Sequence, residues 1–172
     1  MRRAILLTEI ETRTNKGVDI MTDKPEYIEL LNAISLQEAR AGVWIKAWSE
    51  KTTHPGLKGC LDLVAARETS HGEIFERRVR ELGGSPTDVE DPEYNETLRV
   101  FASDMPDPEK IAWLNEYVTR LPKPTVEERY KVAVDDAAVD PLTRSLLRWF
   151  MDVEKDSGDS MKRVYEQMGI KD

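Results

Sequence analysis

Residues 57–84 read LKGCLDLVAARETSHGEIFERRVRELGG, and the reading of this stretch decides the fold. Leu57, Leu61 and Val64, then Phe75, Val79 and Leu82, recur at steps of three and four, which places them on one face of a helix. Glu68 and His71 fill the gap in that series. The stripe that should be driest therefore carries a carboxylate and an imidazole three residues apart, where an unpaired charge is costly. Something must neutralise them. Gly83 and Gly84 supply the stop signal after Leu82, because glycine tolerates the left-handed conformation that ends helices.

The two flanking regions extend the pattern. Residues 25–51 follow Pro25 with a stripe of Tyr27, Leu31, Ile34, Ala41, Ile45 and Trp48, and Glu38 falls inside it. Taken singly, Glu38 is readily explained by rotation to the edge of the stripe and pairing with an arginine. The short link at residues 52–54 predicts a helical hairpin, with Pro55 opening the second helix and His54 in a solvated or capping role. Outward pairs Glu73 with Arg77 and Glu76 with Arg80 mark the wet face. Cys60 reads as a small buried thiol, and the four tryptophans as core or helix-contact residues.

After the glycines the chain is rich in turn formers and acids, with one short helix expected around residues 93–102. Asp107 and Pro108 predict a cap and first turn for a helix to residue 121, burying Ile111, Leu114, Val118 and Leu121. Pro122 and Pro124 stop it. Thr125 and Glu128 have capping-box spacing for a further helix to about residue 139. Asp140 and Pro141 start the last helix, to about residue 169, with the row Leu147, Phe150, Glu154, Ser157, Met161, Val164 and Met168. Lys155 with Asp159 and Lys162 with Glu166 lie on its outer side. No stretch of useful length alternates as a strand would.

Composition bounds the rest. The chain of 172 residues suits one domain, read as an N-terminal arm without fixed structure at residues 1–24 and a helical bundle at residues 25–172. Lys and Arg total 25 against 33 Asp and Glu, and no basic stripe survives among the interleaved acids, which argues against a nucleic-acid partner. The single cysteine excludes an intrachain disulfide and fits a reducing compartment. No apolar run approaches the roughly 20 residues that span a bilayer. A cytoplasmic location without a membrane partner is expected.

Three long helices thus place Glu38, Glu68 and Glu154 at mid-height on their apolar stripes, and His71 joins Glu68. Gathered in a low-dielectric interior these carboxylates repel, so either their pKa values rise or a cation holds them together. Oxygen donors with one imidazole suit iron, manganese or zinc. In these motifs the chain resembles the ferritin-like superfamily of bacterioferritins, mini-ferritins and rubrerythrins. The segment ETSHGEIFERRVRELGGSP at residues 68–86 resembles the family's second helix, LQEARAGVW around Glu38 its first, and DPLTRSLLRWFMDVEKDS around Glu154 its fourth.

The resemblance implies an antiparallel four-helix bundle with a non-haem metal centre of Glu38, Glu68, His71 and Glu154. It also implies oxidoreductase or ferroxidase chemistry with a small oxidant. Two departures stand out: Ser157 occupies the position of the family's second histidine, and the third helix is interrupted at Pro122 and Pro124 with no glutamate in its buried row. Those four residues could hold one ion, or two with exogenous ligands. A reading from another class stands beside this one, a metal-free bundle acting as a binding or scaffold protein; homo-oligomerisation is compatible with either.

Overall fold

Three long helices carry the frame of the computed structural model, which describes residue 25 and residues 27–170. They are α1 (Ile28–Lys51), α2 (Pro55–Glu81) and α6 (Pro141–Gln167); α3 (Pro92–Phe101), α4 (Asp107–Arg120) and α5 (Val126–Ala133) lie between α2 and α6. Among the described residues there is no strand, and no helix is long and apolar enough to cross a membrane. The arm expected at residues 1–24 lies outside the described residues.

Local chemistry sets most helix ends. The His54 ring accepts from the Leu57 N–H at 3.0 Å and caps α2, and Asp140 accepts from the N–H groups of Leu142 and Thr143 to cap α6. Thr125 and Glu128 form the expected capping box on α5. At the far end of α2, Gly83 takes φ 77° while the N–H groups of Gly83 and Gly84 reach back to the carbonyls of Arg80 and Val79. That bonding pattern satisfies two carbonyls the helix would otherwise strand.

Helix directions follow from which residues meet. Ser35 donates to the Gly72 carbonyl at 2.9 Å and Lys46 pairs with Asp62 at 2.9 Å, so α1 and α2 run antiparallel. Arg67 meets Asp156 at 2.8 Å and Arg78 meets Asp140 at 3.0 Å, so α2 and α6 are antiparallel as well. Tyr27 donates to Asp140 at 2.8 Å, and Trp48 stacks near Tyr165 with ring centroids 6.4 Å apart, which makes α6 parallel to α1.

The α1–α2 crossing is close because two glycines allow it. A Cβ on Gly72 would lie 2.9 Å from the Ala39 backbone nitrogen and 3.1 Å from its Cα, and Gly42 meets Thr69 and the Ala65 carbonyl in the same way. Backbone cannot yield as a flexible side chain would. The core then divides into two apolar halves. One gathers Leu31, Ile34, Phe75, Val79, Leu147 and Phe150, and the other gathers Ile45, Trp48, Leu57, Leu61, Val64 and Phe101.

The intervening segment corrects several expectations. Asp107 is the first residue of α4 and does not cap it; its carboxylate accepts from Trp48 Nε1 and Thr52 Oγ1, each at 2.7 Å, and ties α4 to the α1–α2 turn. Of the row expected on α4 only Ile111 is fully buried, and Val118 is 51% exposed, because α4 meets the bundle mainly through its first turns. There Lys110 is buried and donates to the carbonyls of Phe101 and Ser103, each at 2.9 Å. Burial lowers its pKa.

The fifth helix stops at Ala133, short of residue 139, where Asp136 takes the Ala138 N–H and Arg148 takes the Val134 carbonyl. Arg77 pairs with Glu81 and not with Glu73, while Glu76 with Arg80 and Lys155 with Asp159 pair as spaced. Trp48 is core, but Trp149 is 42% exposed.

Two substitutions test this frame. Gly72→Ala should destabilise the protein by about 1–3 kcal/mol, since overpacking at a backbone contact forces the helices apart; urea unfolding reads the change. Asp140 is opposed by burial, yet hydrogen bonds from Thr143, Tyr27 and Arg78 outweigh it and hold its carboxyl well below the usual range. Its contribution is present above the unfolded-state pKa near 3.8 and is lost as pH falls through the lower folded value. Asp140→Ala should therefore cost about 1–2 kcal/mol at pH 7, with the gap from the unmutated protein narrowing in strong acid.

Candidate metal centre

Between the two apolar halves lies a polar layer. Glu38 follows Ile34 by one turn of α1, Glu68 and His71 stand between Val64 and Phe75 on α2, and Glu154 follows Phe150 on α6. The helix periodicity that buries the apolar residues buries Glu38, Glu68 and His71 with them and half-buries Glu154. One ligand-capable atom from each lies within 4.8 Å of all the others. The sequence-predicted set is thus brought together complete.

The His71 Nδ1 is the point of convergence. It lies 3.3 Å from Glu38 Oε2, 3.6 Å from Glu68 Oε2 and 3.3 Å from Glu154 Oε1. Ligands placed about 2.1 Å from one ion in a tetrahedron stand about 3.4 Å apart, and the three separations from the imidazole nitrogen are close to that edge length. The side chains of Glu38, Glu68 and His71 are 5%, 6% and 2% exposed, and that of Glu154 is 29% exposed. The open side of the layer is therefore at α6.

A nitrogen with one hydrogen cannot satisfy three carboxylates. It bonds to Glu38, and the buried Glu154 Oε1 is left without a hydrogen-bond partner. Protons distribute accordingly. Burial opposes charge on His71, but the carboxylates of Glu154, Glu38 and Glu68 around its ring outweigh burial and push the imidazole up to about 11. Burial, with Glu68 and Glu154 close by, pushes Glu38 up to about 9 although His71 pulls the other way. Burial raises Glu154 too; Glu68, against its burial, is held below the usual range by His71 and Glu38. These shifts favour a proton on His71 and on Glu38 and a charged Glu68 near neutral pH.

Aromatic rings wall the layer. Phe150 and Trp149 meet the His71 ring edge to face, with centroids 5.0 and 5.3 Å away, and Tyr130 of α5 packs on Phe150 at 5.2 Å. Burial raises the Tyr130 pKa, and Glu127, Glu154, Glu38 and Glu68 add to it, so its phenol stays protonated. No residue of α4 or α5 belongs to the cluster. Glu128 is spent on the cap of Thr125, and Glu127 pairs with Lys131 at 2.5 Å.

The pattern of the sequence did not reveal Arg67. Its Nη1 donates to Asp156 at 2.8 Å and to Ser157 Oγ at 3.1 Å, a contact across some ninety residues that no local spacing signals. Cys60 is half-buried, and burial raises its pKa against the pull of Arg163 and Arg67. Cavities of about 840 and 510 Å³ lie elsewhere, and none of the four cluster residues lines either. Comparison with known proteins finds no matching family model, curated protein or solved structure.

The proton distribution has a measurable consequence. Between about pH 6.5 and 9, His71 and Glu38 hold protons in the folded chain that they release on unfolding, since both folded pKa values are raised above the ordinary ones. Stability of the metal-free protein should fall as pH rises through that window. Glu38→Gln, which mimics the protonated side chain, should match the unmutated protein near pH 4.5, exceed its stability increasingly above that, and flatten the decline; urea unfolding at four or five pH values reads both.

Proposed function

We propose that this chain is a ferritin-like four-helix bundle that binds a non-haem metal ion, iron or manganese, through Glu38, Glu68, His71 and Glu154. In this reading α1, α2 and α6 are three of the four helices, and α4 with α5 stands in place of the third, broken at Pro122 and Pro124. The observation that carries it is the convergence of three carboxylates from three helices on one imidazole nitrogen. Three hard oxygen donors and one nitrogen fit iron(II) or manganese(II) better than a soft metal. The Glu154 oxygen without a hydrogen-bond partner supports the reading, since a bound cation would satisfy it.

When bound, such an ion would supply redox chemistry and an open coordination position for a small oxidant. The chain's own residues would do the rest. Glu38, Glu68 and His71 anchor the ion on the dry side, and Glu154 closes the layer at its more exposed edge. Phe150 and Trp149 hold the imidazole plane and exclude water. An oxidoreductase or ferroxidase activity is the corresponding proposal for catalysis.

The competing reading is a metal-free scaffold, in which the His71 imidazolium replaces the ion. Reconstitution with iron(II) under anaerobic conditions, desalting and metal analysis separates them. A stably bound ion, lost in Glu68→Ala and His71→Ala, supports the centre; metal below about a tenth of an equivalent, on the order of background, supports the scaffold.

Binding should also displace the protons from His71 and Glu38, about two per ion at pH 7, so affinity should rise with pH. Calorimetry in buffers of different ionisation enthalpy counts them, and Glu38→Gln should release one fewer. That variant should also weaken binding by more than the ~10–100-fold typical of losing a residue that only orients a ligand.

A further inference from the structure

We infer that the centre takes one ion per chain, and that the Arg67 guanidinium holds the place where a second positive charge would sit. The inference rests on the metal-binding reading above and deepens it. Glu68 and His71 on α2 have their counterparts at Glu154 and Ser157 on α6, each pair three residues apart and the two helices antiparallel. Where α2 offers an imidazole, α6 offers the buried Ser157 hydroxyl, and that hydroxyl already accepts from Arg67 Nη1 at 3.1 Å.

Two further observations point the same way. The same nitrogen of Arg67 reaches Asp156 at 2.8 Å, so the guanidinium is pinned against α6 from both Asp156 and Ser157. Its charge thus stands permanently on the Ser157 flank of the polar layer, and a divalent ion brought to that flank would be repelled by it. Donor supply agrees. Two ions of four ligands each would need eight bonds, one more than six carboxylate oxygens and one nitrogen provide, so a second ion would depend on an exogenous or bridging ligand. The single nitrogen, with one oxygen of each carboxylate within 3.6 Å of it, gathers the four donors at one point.

Equilibrium dialysis of the full chain against manganese(II), with metal analysis and low-temperature electron paramagnetic resonance, decides the matter. About one ion per chain with the spectrum of an isolated manganese(II) is expected. Two ions with an exchange-coupled spectrum would overturn this inference and leave the metal centre standing; no bound ion would overturn the metal-binding reading and this inference with it. Variants test the part played by Arg67. Ser157→His alone should stay at one ion, because the guanidinium remains, whereas Ser157→His combined with Arg67→Gln should reach two. A single variant that takes two ions, or a folded double variant that stays at one, would remove Arg67 from the explanation.

Discussion

Three carboxylates crowd one imidazole nitrogen in the interior of this protein, and the rest of the structure is arranged to make that tolerable. Carboxylates taken out of water repel one another and lose hydration, so they persist only with a compensating positive charge. The imidazolium of His71 can supply one unit, which leaves Glu38 protonated and Glu154 with a stranded oxygen. An apolar replacement of similar volume would avoid these costs altogether. Their presence at the junction of the two core halves is therefore hard to account for by stability alone.

The frame concentrates its rigidity around this layer. Gly72 lets α1 and α2 approach until Ser35 bonds the Gly72 carbonyl, which fixes Glu38 opposite His71. Phe75 and Phe150 lock α2 to α6 one turn away, with ring centroids 5.0 Å apart. Beyond them Asp140 joins the start of α6 to Tyr27 and Arg78, so the three long helices are tied together at one end. Trp48, held by Asp107 and packed on Phe101, ties α1 to α3 and α4 toward the other end. Side chains that must keep a fixed mutual geometry are thus supported above and below by contacts that leave little freedom.

Signals confined to a few adjacent residues were legible in the sequence. Pro55, Pro141, Asp140, Thr125 with Glu128 and Gly83 each mark a helix end through local chemistry, and the structure uses every one of them. The four cluster residues were legible because a charged group on an apolar stripe contradicts its surroundings. Choices made by tertiary contact were not. Asp107 looks like a cap, but Trp48 and Thr52 claim its carboxylate; Lys110 looks like a surface residue, but the end of α3 needs a cation for its free carbonyls. The row on α4 has helical spacing throughout, yet spacing cannot say that only one end of that helix meets the bundle.

The interruption of the chain between α4 and α5 bears on the cluster in an instructive way. All four cluster residues sit on α1, α2 and α6, the three uninterrupted long helices, so a break between α4 and α5 displaces none of them. What the broken region contributes is enclosure: Tyr130 of α5 covers Phe150, and Phe101 of α3 fills the half of the core around Trp48. Enclosure tolerates irregular backbone far better than coordination does, because packing against a ring accepts many approach angles while ligand atoms must meet at one point. A division of labour follows, with continuous helices fixing the polar layer and short helices shielding it. The prolines between α4 and α5 thus lie where they leave the geometry of the polar layer undisturbed.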